Sequence, residues 1–269
     1  SKNGNKRMMK ELFPGLDENE LLELWPTYKV DEKKVEKLTT TNISHANIAL
    51  NSILDDLEKA QLEKLFFADN GWYKIINQDG MVQLKLAAMS LGLSNNVFTF
   101  DSTEEQHMLE VVGALSREQQ VLNMRCYMKQ KVVTYSTLKK YLTKIRKQED
   151  MSITLYRGVR HDGEVKKYVF SGLECWSTSS RIAERFTKNG GYVISKAYPI
   201  SSIFAGFRST FKNKPNNMYR HNGFYVRREH EMIVENIEQS IQLDNNFYRP
   251  VYDEFYYCLL YTSDAADDK

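Results

Sequence analysis

The stretch Ser152-Ile153-Thr154-Leu155-Tyr156-Arg157-Gly158 is where the pattern of this 269-residue chain changes. Upstream of Asp150, apolar residues recur with the spacing of helices. From Ser152 onward they come in short runs of strand period. The runs Ser152–Tyr156, Cys175–Thr178, Tyr192–Tyr198, Glu229–Glu235 and Pro250–Leu259 read as strands, Ser180–Thr187 as a short helix and Asn189-Gly190-Gly191 as a turn. The expected fold class is α+β, with helices first and a sheet second.

Working back from Ser152, Thr134–Gln148 reads as a helix with Leu138, Leu142 and Ile145 facing in. Lys139, Lys140, Lys144, Arg146 and Lys147 form its basic outer face. Ser116 with Gln119 makes a capping box for a helix to about Lys131. Glu104–Leu115 and Met81–Leu91 are further helices, separated by turns at Ser94-Asn95-Asn96 and Asp101-Ser102-Thr103. Ser44 is placed to cap a helix through Phe67, with Ile48, Ile53, Leu54, Leu57 and Leu62 inward; Asp17 is placed to cap Glu18–Trp25. The chain thus divides, at a soft boundary near 116–134, into a helical region 1–115 and a strand-bearing domain 116–255. The tail 256–269 stands apart, and Ser263–Lys269 resembles translated vector sequence.

Composition is that of a globular protein, 42% hydrophobic and 27% charged. The longest nearly apolar run, Leu84–Leu93, contains Lys85 and Ser90 and cannot span a bilayer. Residues Ser1–Arg7 lack the apolar core of a signal peptide, and the expectation is a protein that is secreted or delivered into a target cell, or that acts in the cytoplasm. Cys126, Cys175 and Cys258 are odd in number and widely spaced, which disfavours a disulfide framework or a Cys-rich zinc site. His45, His107, His161 and His221 show no metal-ligand spacing, and no metal is expected. The net charge of +2 conceals segregation: 12 Lys/Arg against 18 Asp/Glu in 1–115, 23 against 10 in 116–235, and 2 against 7 thereafter. A basic middle between acidic ends points to an anionic partner.

No phosphate-binding P-loop, dinucleotide fingerprint, nucleophile elbow or His-Glu-x-x-His zinc motif occurs. Three pieces remain. Leu155-Tyr156-Arg157-Gly158 closes a strand. Trp176-Ser177-Thr178-Ser179-Ser180 leads from a strand into a helix, where its hydroxyls also suit an N-cap. Glu229-His230-Glu231-Met232-Ile233-Val234 opens an apolar strand. Residues two apart on a strand face the same way, so Glu229 and Glu231 are expected to share a cleft, with His230 on the other side as packing. Arg157, Ser177 and Thr178 are the expected neighbours of that carboxylate pair.

In this order the pieces resemble the R-S-E class of mono-ADP-ribosyltransferases: an Arg on the first core strand, then Ser-Thr-Ser, then Glu-x-Glu. The resemblance spans about residues 134–240. It takes in Gly172–Trp176 before the serines, Ala183-Glu184-Arg185-Phe186 after them, and Met232-Ile233-Val234. The pattern is similar to binary-toxin enzymatic components and to the small transferases of some phages. It implies a mixed β-sheet transferase core, NAD as substrate and no metal. It implies that Arg157, Ser177, Glu229 and Glu231 are catalytic, and that Arg157, Gly158, Ser177, Thr178, Ser179 and Phe186 hold NAD. In that scheme Arg157 pairs with the NAD phosphate, Gly158 lets the nicotinamide amide approach, and Phe186 flanks the ring. Ser177 fixes Glu231, which bonds the ribose as nicotinamide leaves. Glu229 goes with arginine acceptors, so the implied partner is a target protein with an accessible arginine.

A second reading stays open. The loop 206–228 carries Arg208, Lys212, Lys214, Arg220, Arg227 and Arg228, no acid, and the aromatics Phe207, Phe211, Tyr219, Phe224 and Tyr225. That mixture suits acceptor recognition or a single-stranded nucleic-acid platform, and a solvated loop besides. Val226 stands where the family often has an aromatic. The remaining alternative is the same fold used only for interaction, against which the complete Arg, Ser and Glu-x-Glu positions argue.

Overall fold

A computed structural model describes residues 4–40, 46–66, 78–94, 110, 113–161, 165–187, 190–206 and 231–251. Glu229, His230, most of the loop 206–228, Ser44, most of Glu104–Leu115, nearly all of Pro250–Leu259 and the tail lie outside those residues.

The helical half contains Gly4–Leu12 (α1), Glu18–Leu24 (α2), Tyr28–Leu38 (α3), Ala46–Ile53 (α4), Asp56–Phe66 (α5) and Gln78–Ser90 (α6). The Asp17 cap of α2 is present: its carboxylate accepts from the Glu20 amide at 2.9 Å and Glu20 accepts from the Asp17 amide at 2.8 Å. The single helix expected through Phe67 is two. Asp55 and Glu58 exchange the same reciprocal bonds, at 2.8 and 3.1 Å, and so start a new helix at Asp56. Ile48 and Leu57, expected inside, are exposed.

Arg117–Tyr141 (α7) is one helix, without the break between Lys131 and Thr134 that the sequence pattern predicts. Ser116 and Gln119 cap it as expected. A wider turn over Leu142–Arg146 ends it at Lys147 in the left-handed conformation, φ 52°. Every side chain from Cys126 to Tyr135 is buried, because α7 lies between the other helices and the sheet and has no solvent face there. Its buried charges are matched from both sides. Lys129 pairs with Glu58 at 2.8 Å and donates to the Ile53 carbonyl. Lys131 pairs with Glu235 of the sheet at 2.6 Å and donates to the Leu12 carbonyl of α1 at 2.8 Å. Tyr127 donates to the other Glu235 oxygen at 2.5 Å and stacks on Phe204. One buried apolar cluster runs through the helices and the sheet alike.

Glu32 on α3 is 4% exposed, and neither carboxylate oxygen has a hydrogen-bond partner. Burial, reinforced by Glu36, pushes its pKa up to about 7. A carboxylate whose folded pKa is raised disfavours folding once it must ionise inside. Stability is therefore expected to fall as pH rises from about 4.5 to 7, by about 3 kcal/mol from this group. Glu32→Gln should remove that contribution. Urea unfolding at pH 5 and pH 8 is expected to show the variant gaining on the wild type only at pH 8.

The strands are Ser152–Val159 (β1), Lys167–Val169 (β2), Leu173–Ser177 (β3), Tyr192–Pro199 (β4), Ile203–Gly206 (β5), Glu231–Glu235 (β6), Ser240–Gln242 (β7) and Phe247–Tyr248 (β8). Six form one sheet in the order β5-β6-β3-β1-β4-β8; β2 and β7 pair separately. The fold is α+β. Every pairing in the six-stranded sheet is antiparallel, which corrects the expected mixed sheet. β3 and β4 run the same way, but β1 lies between them and opposes both. One sheet face meets α7 through Glu235; on the other, Trp176 packs edge-on against Tyr168 and Tyr198. No helix among the described residues is long and apolar enough to cross a membrane.

Candidate active site

The three strands at the middle of the sheet, β6, β3 and β1, carry the three sequence pieces. Ser177 lies directly opposite Glu231 on one side and opposite Tyr156 on the other, and Tyr156 is in turn opposite Ser195 of β4. Facing residues of neighbouring strands project to the same side. Glu231, Ser177, Tyr156 and Ser195 therefore form one row across four strands.

Ser177 is 7% exposed, and its Oγ accepts from the Ser179 amide at 3.1 Å. Ser179 Oγ accepts from the Ile182 amide and caps a helix over Ser180–Glu184 (α8), shorter than the expected Ser180–Thr187. The serine cluster is thus both a capping motif and the lead-in to the row. Thr178 is half-buried between them. The Cys175 thiol stands on the same strand face, and burial, then the Glu231 carboxylate, push its pKa up.

Arg157 does not join the row. It is opposite Ile194, so alternation sends its side chain to the other face of the sheet. There its guanidinium donates to the Cys175 carbonyl at 2.6 Å, and its buried Nε has no hydrogen-bond partner. Burial opposes its charge, and the field of Tyr168 and Glu174 outweighs that and raises its pKa. Glu174 is a buried hub, accepting from Tyr168 at 3.0 Å, the Ser171 amide at 2.7 Å, Trp176 Nε1 at 3.0 Å and Asn236 at 3.3 Å. β1 and β3 pair only at Tyr156–Ser177, and the Arg157 side chain reaches across where the ladder stops.

At Gly158 a side chain would collide with the Ala183 carbonyl of α8 and crowd Phe186. The glycine lets the helix seat on β1, a packing role where the resemblance implies a ligand approach. Phe186 is 43% exposed beside it. Tyr248 of β8, 39% exposed, donates to Glu184 at 2.7 Å and ties the sheet edge to α8. Arg249 bonds the His161 and Gly190 carbonyls and fixes that edge.

The structure brings Ser177 and Glu231 together, with Gly158 and Phe186 along the same face, and places Arg157 behind them. Glu229 lies outside the described residues. Sequence reasoning passed over Tyr156, Cys175, Glu174 and Tyr248. The period of two would have found Cys175 two residues before Ser177; nothing local in the sequence marks Glu174 or Tyr248. Among the described residues no group of three or more His, Cys, Asp or Glu side chains is arranged to hold a metal ion. Compared with known families, curated proteins and solved structures, the chain has no match.

Proposed function

We propose that this protein is an NAD-dependent mono-ADP-ribosyltransferase acting on an arginine of a target protein. The observation that carries the reading is the register of the central strands, with Ser177 directly between Glu231 and the Tyr156-Arg157 strand. In the proposed reaction the bond between ribose C1′ and the nicotinamide nitrogen breaks, and its electron pair leaves with neutral nicotinamide. Positive charge develops on the ribose, and the Glu231 carboxylate stabilises it through a ribose hydroxyl. Ser177, positioned by the Ser179 amide, holds Glu231. A guanidinium nitrogen of the acceptor then bonds C1′ and gives up its proton. An arginine side chain is otherwise a weak nucleophile, so a carboxylate must orient it and take that proton; this is the role of Glu229. With Arg157 on the opposite face of the sheet and bonded to the Cys175 carbonyl, the reading gives it a positioning role on β3 in place of the NAD phosphate contact that the resemblance implies.

The test uses NAD labelled in its adenylate, a cell lysate and Glu229→Gln. Wild type is expected to label protein, with the label lost to protease. The variant is expected to lose protein labelling while still releasing nicotinamide from NAD at a rate within about threefold of wild type, since bond breaking does not need the acceptor's base. Label that survives protease, vanishes with nuclease and falls steeply with salt would replace the arginine acceptor by a nucleic acid, the use that the basic loop 206–228 also fits. Absence of any NAD turnover by the wild type overturns the transferase reading.

A further inference from the structure

The row Glu231, Ser177, Tyr156, Ser195 holds two side chains to which the transferase reading gives no task, and of these Ser195 donates to the Asn246 carbonyl at 3.4 Å. Tyr156 is half-buried and stands on the same sheet face as the Ser177–Glu231 pair, one strand spacing beyond Ser177, roughly 4.8 Å. Two residues along β1 on the same face is Gly158, against which α8 brings Phe186. Tyr248, opposite Val193 on β4 and therefore on this same sheet face, is within electrostatic reach of Tyr156 and donates to Glu184 of α8. Tyr156 therefore lies between a carboxylate–hydroxyl pair suited to a sugar and two part-exposed aromatic rings.

We infer that Tyr156 is a further binding residue of this site, its ring face receiving the nicotinamide ring of NAD. The inference rests on the transferase reading. If Glu231 and Ser177 act on the ribose whose bond breaks, the planar group attached to that ribose is nicotinamide. One strand spacing is the offset from a sugar to the ring that it bears. Tyr156 and Phe186 then flank the ring from two sides. An aromatic face gives such a ring stacking contact that does not depend on the phenol hydroxyl.

The test is equilibrium titration of wild type, Tyr156→Ala and Tyr156→Phe with two probes. Carbocyclic NAD keeps the nicotinamide and cannot release it; ADP-ribose lacks that ring. Tyr156→Ala is expected to bind carbocyclic NAD about tenfold or more weakly and ADP-ribose within about twofold of wild type. Tyr156→Phe is expected to restore carbocyclic NAD binding. Retained ADP-ribose binding shows that the alanine variant is folded and its site intact. Unchanged carbocyclic NAD affinity in Tyr156→Ala overturns the inference, and so does an equal loss for both probes, which would make Tyr156 part of the scaffold. A wild type that binds neither probe overturns the transferase reading itself, and the inference with it.

Discussion

Glu231→Gln is expected to lower both ADP-ribosyl transfer and NAD hydrolysis by about 10²–10³-fold or more, with circular dichroism and urea midpoint unchanged. The substitution keeps shape and removes charge. Glu231 sits at the first position of β6 and is half-buried, so the amide of the same shape is expected to leave the strand in place. In the proposed reaction the charge acts when the ribose becomes cationic, and that is when its loss should be felt. Ground-state binding of NAD should change little, so the effect should fall on kcat rather than KM. A variant that turns NAD over at the wild-type rate removes Glu231 from the chemistry.

The largest stability effect is expected at Lys131. Its ammonium is 1% exposed and lies 2.6 Å from Glu235, with the Leu12 carbonyl as its second acceptor. Lys131→Met removes the cation and leaves Glu235 buried with only the Tyr127 hydroxyl. Breaking a buried pair from one side costs about 3–5 kcal/mol. For a chain of this size that is a drop in Tm on the order of 10 °C. The double variant Lys131→Met/Glu235→Leu removes both charges and should recover most of the loss. Thermal unfolding of the two single variants and the double decides it: additive losses would mean that the pair does not act as a unit. Helical and tyrosine signals should also fall together, because this pair joins α1, α7 and β6.

Elements with local signals could be read from the sequence. Asp17 with Glu20 and Ser116 with Gln119 mark helix starts by their own side chains. The strands β1, β3, β4 and β6 announced themselves by period, and the facing of Ser177 with Glu231 agrees with the expectation that they are neighbours. What stayed hidden depends on partners far away in sequence. Lys129 and Lys131 look like the solvent side of a helix and invite a break in α7. They are inside only because Glu58 and Glu235 neutralise them. The placement of Arg157 was hidden for a related reason. Its face follows from the register with β4, and its neighbour Glu174 is apparent only once β3 is laid beside β1.

The order in which the two buried lysines meet their counter-charges has a consequence during synthesis. Glu58 precedes Lys129, so that pair can close as soon as α7 emerges. Glu235 follows Lys131 by 104 residues. At ordinary translation speeds Lys131 waits roughly 5–20 s for its partner. Until then, burying its charge has no compensation, and the nascent α7 must keep that side wet. The helical half therefore cannot finish its core ahead of the sheet. A ribosome stalled before residue 235 should hold a chain that proteases still cut in the first 115 residues.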